Sequence, residues 1–317
     1  MLKPNPIITV GICPCWDVVC RVDGLKWGEH RKVESQQLLA AGKALNISRA
    51  LAWLRVKSVA AGLWGQSDYP QMVESLKALG DFVDVRFTKA PGRTRQNVTV
   101  FDTKAGSEIH LRAESRLAGP ESLKQLRADL EEIVSEDSIV VFAGSMPEGK
   151  LLDDCLSIIA AVRDAGARVA VDTSGQALKE ILRLKGIWLI KPNIKELREL
   201  LNKQVADRAS AIVKAARQLC EEVETVVVSR AAKGAIVVTG DVALQGKTAS
   251  SLGKAGSTVG CGDYLLAGLL AGVTQGQGLH LALAQGVKVA VARACGLTES
   301  TNWAEVETEI EADVGAL

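Results

Sequence analysis

The run Ser138-Ile139-Val140-Val141-Phe142-Ala143-Gly144-Ser145 decides the fold. Its apolar residues are continuous rather than alternating, as in a strand buried on both faces, and the run stops at a small polar pair. Downstream the figure recurs: Arg168 to Val171 ends at Asp172-Thr173, Gly186 to Ile190 at Lys191-Pro192-Asn193, and Thr225 to Val228 at Ser229-Arg230. Helical periodicity covers Glu121 to Val134, Leu151 to Ala165, Glu196 to Leu201 and Ser210 to Cys220. Strand, loop and helix in repetition predict a parallel sheet with helices on both faces. The polar strand ends place the functional site along the carboxyl edge of that sheet.

Towards the N-terminus, Pro6 to Ile12 reads as a first strand. A loop-rich polar stretch follows, through Gly28-Glu29-His30, and then an extended segment at Val33 to Leu39. Gly42 to Val56 reads as a helix on Leu45, Ala50, Leu51 and Leu54, Ser58 to Leu63 as a strand, and Gln71 to Leu79 as a helix. Asp84 to Phe87, Asn97 to Asp102 and Glu108 to Leu111 predict a small antiparallel patch. No repeat or low-complexity linker divides the chain, so 1–317 reads as a single domain. Segments near 13–40 and 94–112 would form a small sheet attached as a lid.

Composition removes several function classes. With 38 Lys and Arg against 37 Asp and Glu, the net charge is +1, so the basic surplus of a nucleic-acid binder is missing. A hydrophobic fraction of 47% excludes disorder for most of the chain. Aromatics are only 4% while Gly numbers 29, which suits aliphatic parallel strands and tight turns. The longest apolar run, Tyr264 to Val273, is about half the ~18 residues of a membrane span. Met1 to Val10 shows no basic segment leading into a long apolar stretch, so no signal peptide is expected. Cys13, Cys15 and Cys20 cluster, but the three His have no ligand spacing. Reduced thiols in a cytoplasmic protein are the expectation.

Two nucleotide signatures fail. No G-x-G-x-x-G follows a strand. Gly240 to Gly246-Lys247-Thr248 has five residues between its glycines where a P-loop has four, and its Lys lies in an extended stretch. The strongest local signal is Ser257-Thr258-Val259-Gly260-Cys261-Gly262-Asp263, followed at once by a helix near Tyr264. Gly260 and Gly262 let amide groups converge at a helix N-terminus, where the macrodipole favours an anion. Asp263 beside such a hole can take a proton from an attacking hydroxyl, while the amides meet charge on a transferring phosphoryl group. The same residues also read as an ordinary helix cap.

Three further stretches bear on this choice. Gly42-Lys43-Ala44-Leu45-Asn46 opens a helix and reads either as a plain helix start or as a binding site for phosphate or sugar hydroxyls. Arg93 and Arg95 alternate along an extended segment, so both face one side; Arg forks suit a phosphate, and a solvated strand face is the alternative. Asn193 and Glu196 share a face at i, i+3, for orienting a hydrated Mg²⁺ or for capping a helix.

Taken in order, these stretches resemble the ribokinase-like sugar kinases of the PfkB family. The resemblance runs from Asp17 to about Gly296, through Ala40-Ala41-Gly42-Lys43-Ala44-Leu45-Asn46, Gly92-Arg93-Thr94-Arg95, Gly144-Ser145-Met146-Pro147, Asp172-Thr173-Ser174-Gly175, Lys191-Pro192-Asn193-Ile194-Lys195-Glu196-Leu197, Val228-Ser229 and Thr258 to Asp263. Ala-Ala-Gly-Lys with Gly-Arg-Thr-Arg is most similar to the branch of 1-phosphofructokinases and tagatose-6-phosphate kinases. The resemblance implies a three-layer α/β/α fold with a mostly parallel central sheet and a small β-sheet lid. It makes Asp263 the general base and Gly260, Cys261 and Gly262 the anion hole. Asp17, Gly42 and Asn46 would hold acceptor hydroxyls, and Lys43, Arg93 and Arg95 the sugar's own phosphate. Asn193 and Glu196, with Lys191 nearby, would organise Mg²⁺ (through water) and the ATP phosphates, and Ser229 and Gly234 would line the nucleotide site.

The chain departs from the family at Cys13-Pro14-Cys15, at Ala44, at Ala231 and in the lid stretch His110 to Arg116. The implied reaction is ATP- and Mg²⁺-dependent phosphorylation of a phosphorylated ketohexose, first of all fructose 1-phosphate. A tagatose-6-phosphate kinase, a minor-type 6-phosphofructokinase and a kinase of an unphosphorylated sugar are the alternatives within the class. A sugar-phosphate sensor is the alternative outside it. Partners would be sugar phosphate and ATP, with neither nucleic acid nor membrane, and a homodimer formed through the lid. The acidic stretch Glu305 to Asp313 reads as a solvated helix face.

Overall fold

In the computed structural model, which describes residues 7–248 and 259–317, the apolar runs become neighbouring strands. The strands are β1 (Ile7–Gly11), β2 (Cys15–Val22), β3 (Ser35–Ala41), β4 (Ser58–Gly65), β5 (Val83–Ala90), β6 (Gln96–Asp102), β7 (Ser107–Leu111), β8 (Ile139–Ala143), β9 (Arg168–Asp172), β10 (Ile187–Ile190), β11 (Val223–Ser229), β12 (Ala235–Val238), β13 (Ala243–Thr248) and β14 (Ala312–Ala316). The helices are α1 (Lys43–Trp53), α2 (Tyr69–Leu76), α3 (Pro120–Ile133), α4 (Lys150–Asp164), α5 (Gly175–Arg183), α6 (Ile194–Leu201), α7 (Ala209–Leu219), α8 (Cys261–Thr274), α9 (Leu279–Ala294) and the single turn α10 (Trp303–Val306).

One sheet runs β14-β13-β12-β11-β10-β9-β8-β1-β4-β5. From β11 to β5 every pairing is parallel, and β12, β13 and β14 add antiparallel strands at one edge. Both faces of β8 are buried, and its residues divide by period two. Val140 and Phe142 enter one core with Leu126, Ile158, Ile181, Leu197 and Ile212 of α3 to α7. Ile139 and Val141 enter the other with α1, α8 and α9. That gives three layers, and each such large side chain contributes about 1.5–3 kcal/mol of burial.

Helix α8 is apolar on nearly every side and buried over most of its length, which suits a helix packed within the molecule. Its close partner is α9. A Cβ on Gly268 would lie 2.8 Å from the Cα of Gly286, and one on Gly272 would lie 2.8 Å from the Cα of Ala282. The first turn of α8 is thereby held at a fixed height over the carboxyl edge of the sheet.

The second sheet, β3-β2-β6-β7, is built from the segments expected to form a lid. It is mixed: β2 pairs antiparallel with β3 and parallel with β6, and β6 pairs antiparallel with β7. Its base is anchored by Trp16, which packs edge-on against Trp64 and donates its Nε1–H to Asp68 Oδ2 at 2.5 Å. The other Asp68 oxygen accepts from the Thr94 amide at 3.1 Å. One buried carboxylate thus ties both chain segments entering the lid.

Three sequence expectations change. Cys15–Val22 is a full strand of the expected small sheet, inside a stretch that local pattern read as loop-rich; Asp17 and Arg21 break its apolar run and share one face by alternation. Val83–Ala90, the expected third member of an antiparallel patch, is instead the parallel edge strand of the large sheet, beside β4. Glu305 to Asp313 is not a helix face, because the helix stops after one turn at Val306 and Asp313 pairs with Lys247 across β13 and β14. In each case partner strands distant in the chain decide the conformation, which local periodicity does not report. Pro6, Ser257 and Thr258 lie outside the described residues.

Candidate active site

At the carboxyl edge, neighbouring strand ends meet the first turns of α1 and α8. Gly260 has φ +80° and caps α8, its carbonyl accepting from the amides of Asp263 at 2.9 Å and Tyr264 at 3.0 Å. The first turn of α8, with Cys261 and Gly262, then lies at the positive end of the helix. Burial raises the Cys261 thiol, so this residue offers its amide rather than a thiolate.

Asp263, at the same turn, is buried, and its Oδ2 accepts from Asn46 Nδ2 of α1 at 2.8 Å. Loss of hydration and the nearby Asp172 carboxylate push its acid up to about 6, against the opposing pull of Asn46, Lys191 and Lys43. A buried carboxylate raised towards neutrality beside a helix N-terminus has chemistry suited to a general base.

Asp172 is the residue that sequence reasoning missed. It ends β9, is wholly buried, and lies between two ammonium groups: Lys43 Nζ at 2.8 Å from Oδ1 and Lys191 Nζ at 3.1 Å from Oδ2. Burial would raise its acid, but Lys191 and Lys43 outweigh that and hold it below the usual carboxylate range. Burial likewise pulls the Lys43 ammonium down, and Asp172, Asp263 and Glu196 outweigh it and hold it at about 12. Lys191 reaches the first turn of α8 as well, since a Cβ on Gly262 would lie 3.1 Å from its Nζ. Two cations and two carboxylates therefore share one locus, buried except on the Lys43 side. The available signal was a carboxylate at the end of an apolar strand, but only the β9–β10 pairing shows that it adjoins Lys191.

The other candidate residues fall around this locus. Gly42, at φ +123°, turns the chain into α1 with Pro14 against it, and the adjoining cleft is lined by Gly11, Pro14, Gly42, Lys43, Phe87 and Gly144. Asp17 stands on β2 of the small sheet and accepts from Cys15 Sγ at 3.3 Å. Arg93 is exposed and makes no ion pair among the described residues. Arg95 is committed to structure: its guanidinium donates to the carbonyls of Cys13 at 2.8 Å, Pro14 at 3.2 Å and Ala113 at 2.8 Å.

Asn193 and Glu196 form a reciprocal cap on α6. Asn193 Oδ1 accepts from the Glu196 amide at 2.9 Å, and Glu196 Oε2 accepts from the Asn193 amide at 2.8 Å. That leaves Glu196 Oε1 for water. The described residues hold no group of three or more His, Cys, Asp or Glu that could bind a metal directly. A hydrated Mg²⁺ held through water fits this donor set, since that ion keeps several waters. Ser229 bridges to Asn193 at the end of β11. Gly234 is required by backbone contact, because a Cβ there would meet the Gly246 carbonyl at 2.0 Å.

The family model described as pfkB family carbohydrate kinase matches residues 5–300. A 1-phosphofructokinase of Rhodobacter capsulatus is 32% identical over 292 residues, covering 92% of this chain and 89% of that protein. The ATP-dependent 6-phosphofructokinase isozyme 2 of Escherichia coli is 31% identical over 227 residues, covering 71% of this chain and 72% of that protein. Among solved structures, phosphofructokinase-2 from Escherichia coli in complex with substrates and products superposes with a TM-score of 0.88 at 26% identity, covering 96% of this chain and 97% of that one. A buried acid beside a helix N-terminus, on a scaffold shared along nearly the full chain, places this protein in the pfkB family of carbohydrate kinases, phosphotransferases whose acceptor is an alcohol.

Proposed function

We propose that this chain transfers the γ-phosphoryl group of ATP to a hydroxyl of a phosphorylated ketohexose, converting fructose 1-phosphate to fructose 1,6-bisphosphate. The observation that carries the reading is Asp263, a buried carboxyl raised to about 6 at the N-terminus of α8 and beside two ammonium groups. In the reaction the acceptor hydroxyl gives its proton to Asp263, and its oxygen forms the new P–O bond as the bond to ADP breaks in line. The amides at Gly260, Cys261 and Gly262 meet the charge on the transferring group. Lys191 stands at the same point, and so does Lys43, whose ammonium is set on Asp172 beside Asp263. Lys43 is thus better placed for the transferred phosphoryl than for the sugar's own phosphate.

Asp17, Gly42 and Asn46 orient the sugar hydroxyls, and the small sheet closes as a lid that excludes water. Ser229 and Gly234 line the nucleotide site, and Asn193 and Glu196 hold Mg²⁺ through water. That ion, when bound, neutralises charge on the phosphate oxygens.

With Arg95 tied to three carbonyls and Lys43 set on Asp172, Arg93 is the one of the three candidate cations left for the acceptor's own phosphate. ADP release should be fastest with fructose 1-phosphate in a panel with tagatose 6-phosphate, fructose 6-phosphate and free fructose. Arg93→Ala should raise KM for the phosphosugar by about 10- to 100-fold, the loss of one charge-assisted contact, and leave free-fructose turnover alone. Equal turnover of free and phosphorylated sugar would sink the phosphosugar reading.

The same lid supports a homodimer. Leu25, Trp27, Val33, Leu39, Ile109 and Leu111 are large apolar side chains exposed on or beside its strands, with Trp27 at 97%. Sedimentation velocity should return twice the chain mass, and Trp27→Glu with Leu111→Glu should return it to a monomer. A monomeric parent would remove the lid from this role.

A further inference from the structure

We infer that Asp207 is a positioning residue for the nucleotide site, holding the turn Arg230–Gly234 in a shape its own residues do not favour. The inference rests on the reading that Ser229 and Gly234 line that site.

Four non-glycine residues among those described have positive φ. Arg55, Lys185 and Asn202 sit at helix C-termini, where the left-handed conformation is common. Ala231, at φ +48°, has no such setting. It opens a single tight turn between β11 and β12, and its Cβ is strained there. Three backbone bonds close this turn, from the Arg230 amide to the Gly234 carbonyl at 2.8 Å and from Lys233 to Arg230 and Gly234 to Ala231 at 3.0 Å each, but none of them relieves the left-handed φ of Ala231.

What surrounds Ala231 is a clamp. Arg230, on one side, is buried and donates its Nε–H to Asp207 Oδ1 at 2.8 Å and an Nη2–H to the Asp207 carbonyl at 3.2 Å. Lys233, on the other side, donates from Nζ to Asp207 Oδ2 at 2.5 Å. Both oxygens of one carboxylate thus grip the two cations that bracket Ala231, and those cations hold its carboxyl below the usual range.

Asp207 is itself well held. It lies on the loop between α6 and α7, where Arg198 of α6 donates to the carbonyl of buried Val205 at 2.8 Å. At the other end of α6, Asn193 bridges to Ser229, and the Ser229 amide donates to the Pro192 carbonyl at 3.1 Å. The segments flanking α6 therefore hold both the turn, through Asp207, and the strand end that leads into it, through Asn193. Asp207 reaches the site only through Arg230 and Lys233, so its loss acts on the fraction of molecules with a competent turn.

Asp207→Asn should raise KM for ATP about tenfold while kcat at saturating ATP and KM for the sugar phosphate stay within about twofold. Glycine at 231 adopts the turn without strain, so the rise caused by Asp207→Asn should shrink at least about fivefold in an Ala231→Gly background. Lys233→Met, which leaves the buried Arg230–Asp207 pair intact, should show a smaller rise that shrinks in the same way, and it serves if Asp207→Asn folds poorly. An effect equally large with Gly at 231, or no effect of either variant on KM for ATP, overturns the proposal. Ser229→Leu separates the levels. If it raises KM for ATP while the Asp207 and Lys233 variants do not, the clamp alone fails; if it does not, the nucleotide-site reading fails and the clamp with it.

Discussion

Asp263→Asn is expected to lower kcat by about 1,000-fold, within the range of a lost general base, and to leave the fold intact. The amide matches the carboxylate in shape and can keep the bond to Asn46, now 2.8 Å from Oδ2. Stability separates this outcome from misfolding. The acid is raised from an ordinary 3.8 to about 6, so between those values the folded chain binds a proton more tightly than the unfolded one. Its ionised form therefore costs stability above about pH 6, and that cost fades as pH falls towards 3.8. The substitution removes it, so at pH 8 the variant should melt no lower than the parent. For the parent enzyme, kcat/KM should fall as pH drops through about 6, as Asp263 takes up its proton. A variant that turns over at the parental rate would remove Asp263 as the base.

Asp172→Asn should have the second largest effect and a different signature. The replacement leaves Lys43 and Lys191 facing each other across a neutral group in a buried site. Breaking a buried ion pair from one side costs about 3–5 kcal/mol, so the melting temperature should drop clearly, unlike that of Asp263→Asn. Turnover should fall about 100-fold, because two ammonium groups lose the anchor that sets them on the transfer path. The decisive readout is the acid limb of the pH profile. Asp172 is among the groups that raise Asp263, so its neutralisation should carry that limb below pH 6. A limb fixed at 6 would show that the two carboxylates are not coupled.

These two residues also mark how far the sequence could be read. The stretch Gly260–Asp263 is legible as a candidate because Gly260, Gly262 and the start of an apolar helix stand together in sequence, whereas the burial and the Asp172 carboxylate that raise the Asp263 acid come from elsewhere in the chain. The parallel strands are legible because burial on both faces leaves an unbroken apolar run. Asp172 is opaque because its meaning comes from its neighbours, Lys191 across a strand pairing and Lys43 across the edge of the sheet. Cys15–Val22 and Ala312–Ala316 share that difficulty, since a strand with one wet face owes its conformation to partners elsewhere in the chain. Arg95 shows the converse. Its type and spacing suggest phosphate, yet its guanidinium closes three carbonyls at the base of the lid.

The hydrogen bond between Asn46 and Asp263 spans 217 residues of chain. During synthesis from the N-terminus, Lys43, Asn46 and the lid strands leave the ribosome well before the helix that carries the acid. A growing chain can pack its early strands and the Trp16–Trp64 contact while it still lacks the base. With Asp263 in its proposed role, chemistry would switch on only when α8 docks against α1 and α9, so a truncated or stalled product with most of its sheet in place would be silent.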